Sequence, residues 1–91
     1  MKHSTKIKHY TGNHAQLAEE IGDLYYNSLA EFISLLATKI AGDAKADEKR
    51  GRPKLAAELV ECSRHLESAS SHIRAAWHIC EPYAHLQKDK T

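Results

Sequence analysis

The stretch HLESASSHIRAAWHICEP, residues 65–82, gathers His65, His72, His78, Cys80 and the chain's only tryptophan, Trp77. Imidazole and thiolate are side chains that bind zinc, and imidazole also changes charge near neutral pH. Spacing decides whether these groups can act together. His65 and His72 are seven residues apart, which on one helix is roughly 10 Å of axial rise. Zinc ligands must each lie about 2.1 Å from the ion, so a single helix cannot bring both to one metal. A metal-binding or pH-responsive histidine site would need a second copy of this helix, antiparallel to the first and crossing it near Ser68–Ala69. His65 of one chain would then meet His72 of the other. The competing reading, favoured by the wider pattern, is that both imidazoles flank a packing seam and that the chain uses no metal or cofactor.

Other pairs have spacings that let them touch on a helix: Glu61 with His65, His78 with Glu81, and Glu81 with His85. Such pairs ordinarily make solvated surface contacts. Carboxylate-bridged di-iron bundles use Glu-x-x-His, and no glutamate here has a histidine three residues on. Cys62 and His65 are spaced to meet as nucleophile and base, but the heptad pattern turns Cys62 toward the core, where a thiol is inert. No catalytic residue is expected, and the chain reads as a non-enzyme.

One segment, EEIGDLYY, resembles the all-α nucleotide pyrophosphohydrolases of the MazG kind. Those enzymes hold magnesium with a Glu-x-x-Glu pair and a later Glu-x-x-Asp pair on neighbouring helices. Glu20 and Asp23 match the second pair. No acid precedes Glu19, so the first pair is missing upstream, and Glu58 with Glu61 forms Glu-x-x-Glu in the reversed order. The resemblance covers eight residues. Acids in the opening turns of a helix are otherwise accounted for by the helix dipole.

The elements carrying these groups follow from apolar spacing. Residues 1–12 are a basic, aperiodic and flexible tail with Lys2, Lys6 and Lys8. Asn13 caps a first helix and Gln16 stands where its capping-box partner belongs. Leu17, Ile21, Leu24, Tyr25, Leu29, Phe32, Ile33, Leu36 and Ile40 recur at helical spacing and fan across about half the circumference. The spacing predicts one helix over 14–41, with Gly42 as its stop and an extension toward Arg50 as the alternative. The connector, 42–52, is charged and holds no apolar residue larger than alanine. Gly51 breaks the helical tendency, and Pro53 suits the first position of a second helix. Leu55, Leu59, Cys62, Leu66, Ala69, Ile73, Ala76, Cys80 and Tyr83 then alternate by four and three, a heptad seam with Trp77 beside it. The second helix is expected over 53–81. Pro82 is its expected end, although continuation past it is open, and 82–91 is the C-terminal tail.

The fold class expected is all-α: an antiparallel two-helix hairpin, each helix about 40 Å long. One partner helix covers only part of the first helix's apolar side. What remains would exceed the few hundred Å² of contiguous apolar surface that monomers tolerate, so a homodimer forming a four-helix bundle is expected. In shape alone this resembles the Rop-type helical hairpin; no Rop motif is present.

With 91 residues, 13 basic and 12 acidic, the net charge is +1. That balance gives no general attraction to nucleic acid or to acidic membranes. The local run KRGRPK holds Lys49, Arg50, Arg52 and Lys54 and resembles a minor-groove hook, the one feature supporting a nucleic-acid alternative. No apolar run approaches the roughly 20 residues of a membrane span. The N-terminus has no apolar core of a secretory signal. Cys62 and Cys80 would lie about 27 Å apart on one helix, too far to bond, and are read as buried thiols in a reducing cytoplasm. The expected activity is that of a small interaction or regulatory protein whose partner the residues do not name.

Overall fold

The computed structural model describes residues 3–88, and describes side chains as far as Tyr83. Lys2 of the basic tail and the proposed Glu81–His85 pair therefore lie outside the described residues, as do 89–91. The chain is all-helical: α1 spans His14–Gly22, α2 Tyr26–Lys49 and α3 Pro53–Lys88. No strand occurs among the described residues.

The N-terminus of α1 is built as its residues dictate. Asn13 Oδ1 accepts the Gln16 N–H at 2.8 Å, and Gln16 Oε1 accepts the Asn13 N–H at 2.9 Å. This reciprocal box satisfies two donors that the first helical turn leaves open. Tyr10 folds over the same end and donates its hydroxyl to Glu20 Oε2 at 2.6 Å. That bond raises the phenol above its ordinary pKa, since Tyr10 must keep the proton to donate it.

The single helix expected over 14–41 is two helices, and the second runs on past Gly42. Gly22 closes α1; the Asp23 N–H turns back to the Glu19 carbonyl and the Leu24 N–H to that of Ile21. Tyr25 is extended, with φ −54° and ψ 145°, and α2 starts after it. Glycine is among the weakest helix formers, yet Ile21, Leu24 and Tyr25 keep the apolar period across the break and so conceal it. At the other end Gly42 costs only about 1 kcal/mol relative to alanine, and the good helix formers of AKADEK carry α2 to Lys49.

The turn into α3 is short and fully hydrogen-bonded. Gly51 takes φ 78°, the left-handed conformation that side-chain-bearing residues avoid. The Arg52 N–H reaches the Asp47 carbonyl at 3.0 Å and the Gly51 N–H reaches Glu48 at 3.1 Å. These two bonds are the Schellman pattern. Pro53 then opens α3, where its missing N–H costs nothing.

Pro82 lies inside α3, which continues to Lys88; the expected end at residue 81 is not found. The proline forfeits one backbone bond and crowds the preceding turn. It does so after almost eight turns of established helix, where adding further residues is favourable once nucleation is complete.

Close helix packing is confined to α2 and α3, which lie side by side and run antiparallel. Ser70 Oγ donates to the Ala30 carbonyl at 2.7 Å and Ser63 Oγ to the Ala37 carbonyl at 2.9 Å. A serine hydroxyl is short, so these contacts require backbones about 8 Å apart, the low end of the usual helix–helix range. The cause is visible in the burial. Ala30 and Ala37 are 0% exposed, and Ala44, Ala56 and Ser70 are also buried. These small residues recur every seven positions on both helices. Extending the register by one heptad sets Ala44 opposite Ala56. Ile33, Ile40, Leu59, Leu66 and Ile73 fall three residues after a small one, and Cys80 one heptad after Ile73; all are half-buried beside the seam.

A candidate interaction surface

A helical pair has two broad sides, and one hydrogen bond distinguishes them here. Ser34 Oγ donates to Glu67 Oε1 at 2.9 Å across the pair. On each helix these residues sit four positions after a small seam residue, Ala30 and Ser63. The side they share also carries Asn27, Glu31, Thr38, Glu48, Arg64 and Arg74, and is polar apart from Val60.

The opposite side carries the residues one position before each small residue and those two positions after it. On α2 these are Tyr25, Leu29, Phe32 and Leu36, followed toward its C-terminus by the paired Lys39 and Asp43 and by Ala46. On α3 they are Leu55, Cys62, Ala69, Ala76 and Tyr83, flanked by Glu58, His65, His72 and Ile79. Phe32 is 40% exposed, Leu36 39%, Tyr83 65% and Ile79 76%. Most of the larger apolar residues of α2 and α3 thus divide into an inner set at the seam and an outer set on one side of the pair, with Leu35 and Val60 exposed outside both.

The seam expected on the second helix is split by this division. Leu59, Leu66, Ile73 and Cys80 face α2. Leu55, Cys62 and Ala69 are exposed and Ala76 half-buried on the outer stripe. Cys62 is therefore not a core thiol: a three-four alternation fits two adjacent stripes equally well, and the smaller residues of the neighbouring stripe took the inner place. Among the first helix's residues, Ile33 and Ile40 are half-buried at the seam, while Leu24 and Tyr25 remain about 40% exposed. Ile21, on α1, is half-buried. Trp77 closes the end of the seam, half-buried, its ring 5.9 Å from that of Tyr25 at an interplanar angle of 34°.

His65 and His72 are exposed and lie two turns apart along α3. His65 Nε2 stands 4.0 Å from Glu61. Glu61 is held more closely by Arg64 at 2.7 Å, and that hydrogen bond keeps its carboxyl below the usual range. Among the described residues no group of three or more histidine, cysteine or acidic side chains is placed to hold a metal. Glu20, half of the pyrophosphohydrolase-like pair, accepts the Tyr10 hydroxyl.

The basic connector organises around a carboxylate that spacing alone did not single out. Asp47 is 6% exposed and receives Arg50 at 3.2 Å and Arg52 at 3.5 Å. It lies in the last turn of α2, where the helix dipole disfavours negative charge, and the two guanidiniums offset that. Lys39 pairs with Asp43 at 2.6 Å, and this bond lowers the Asp43 pKa. The N-terminal segment returns to this end, placing His3 in a shallow recess with Lys39, Asp43 and the two arginines. Of the four residues of the possible nucleic-acid hook, Arg50 and Arg52 thus lean on Asp47, while Lys49 and Lys54 are exposed. No helix among the described residues is long and apolar enough to cross a membrane.

Comparison with protein-family models, curated proteins and solved structures found no match.

Proposed function

We propose that this chain is a small non-enzymatic interaction protein that works as a homodimer, two antiparallel helical hairpins packing into a four-helix bundle. It would act through its surfaces as a regulator, adaptor or assembly factor in the cytoplasm. The observation that carries this reading is a cluster of exposed apolar residues: Tyr25, Phe32, Leu36, Leu55, Ile79 and Tyr83 share one side of the pair and are 38–76% exposed, while Leu35 and Val60 are exposed singly elsewhere. A contiguous apolar patch larger than a few hundred Å² marks an interaction site, and closed two-fold dimers are the commonest assembly that covers one. Two unpaired thiols, Cys62 and Cys80, suit a reducing compartment. The polar side, with Asn27, Glu31 and Ser34, would remain free for a further protein partner. Light scattering across a concentration series tests the dimer. The expected mass is twice that of one chain at micromolar concentration; a folded, soluble single chain at that concentration contradicts it.

A further inference from the structure

Resting on the dimer proposed above, we infer that its interface is a crossing of α3 over α3 of a second copy, with the two-fold axis at Ala69. The outer stripe of α3 reads Leu55, Cys62, Ala69, Ala76, Tyr83. Its large residues stand at the ends and its smallest in the middle. Helices that cross at an angle approach at one point and diverge on either side. Small residues at the crossing admit close approach, and large ones at the ends fill the widening gap. Because the stripe has this form on both sides of Ala69, an antiparallel copy fits it: Leu55 meets Tyr83 of the other chain, and Cys62 meets Ala76.

A separate observation on α2 selects the same level. Its outer residues, Tyr25, Leu29, Phe32 and Leu36, are centred between Leu29 and Phe32. The Ser70–Ala30 hydrogen bond sets that centre beside Ala69. One axis therefore relates both stripes to themselves. The apolar part of this side runs about 40 Å along α3, from Leu55 to Tyr83, and about 16 Å along α2, from Tyr25 to Leu36. Beyond Leu36 the outer positions of α2 are the Lys39–Asp43 pair, with His3 against it. At about 10 Å of width per helix the apolar area is on the order of 550 Å² per copy, at the small end for a specific interface. The same crossing sets His65 beside His72 of the other chain, twice per dimer, which no single helix can do.

Disulfide trapping tests the register. In a Cys80→Ala background, Ala76→Cys places a thiol opposite Cys62 of the other copy. Oxidised glutathione then accepts two electrons and two protons from the thiol pair as the S–S bond forms. Such a bond requires Cα atoms within about 7 Å. The expected result is that most of the chain runs at twice its mass on a non-reducing gel. In the same background Ala69→Cys should link across the axis, while Ser71→Cys, on the polar side, should leave the chain unlinked. Scattering on the same samples separates the two levels. A single-chain mass overturns the dimer and the crossing together. A dimer in which Ala76→Cys and Ala69→Cys stay unlinked overturns the crossing alone. So does a dimer in which Leu36→Cys links to Cys62 instead, since α2 would then lie over α3 of the second copy.

Discussion

The two flanks of α3 carry the same seven-residue repeat and have opposite fates. Ala56, Ser63 and Ser70 face α2; Ser63 is half-buried and the other two are buried. Leu55, Cys62 and Ala69, one position earlier in each heptad, face outward and are exposed. Hydrophobicity alone would assign them the other way, since leucine and cysteine outrank serine in any tendency to be buried. Size and hydrogen bonding decide instead. Small residues let two backbones approach, each serine hydroxyl finds a carbonyl on the facing helix, and no buried side-chain polar atom lacks a partner among the described residues. The larger residues one position earlier are left exposed on the outer side.

Substitutions that exchange the character of the two flanks probe that division. The largest effect is expected from Ala37→Leu. The site is 0% exposed, so the added atoms must push α2 and α3 apart. Overpacking of this kind costs about 1–3 kcal/mol, a fall of about 10 °C in melting temperature for a domain of this size. Ala69→Leu, the matching change on the outer side, should leave melting of the dilute chain unchanged. Equal losses from both would show that the flanks are not distinct.

Asp47→Ala should follow, at about 2 kcal/mol. It removes a buried acceptor shared by Arg50 and Arg52, and hydrogen bonds to charged groups contribute about 1.5–3 kcal/mol. Denaturant unfolding at neutral pH measures this loss. An unchanged midpoint would mean that the turn is held by Gly51 and its backbone bonds alone. Ser70→Ala, which keeps the small size and deletes one hydrogen bond, should cost about 1 kcal/mol in the same measurement. A loss as large as that of Ala37→Leu would mean the serines, rather than the small-residue spacing, set the approach of the helices.

Much of this fold could be read from residue types. The helical class, the Asn13–Gln16 cap and the Gly51–Pro53 turn each have a local chemical cause, and local causes are visible in a sequence. The features that could not be read depend on competition between neighbouring choices. Apolar spacing runs unbroken through Asp23 and Tyr25, so nothing in the period marks the end of α1. Pro82 signals a stop that a long helix overrides. Heptad counting on 53–81 finds two adjacent stripes that fit equally well, and only the alanines of α2 at 30, 37 and 44 determine which faces inward. That regular alanine spacing was the available signal for the seam, and it is easily passed over when large apolar residues are weighted most. Asp47 was legible only as one charge in a charged connector. The outer side was legible as a surplus of apolar residues, although not as the particular residues that compose it.

The central claim is that the side bearing Cys62 is the side a second copy covers. Thiol alkylation of the native chain tests it directly, with the modified position identified by peptide mass. Labelling of Cys62 should be fast in dilute solution and slow sharply over the concentration range in which the scattering mass doubles. Labelling that stays equally fast through that doubling would place the interface elsewhere and contradict the account.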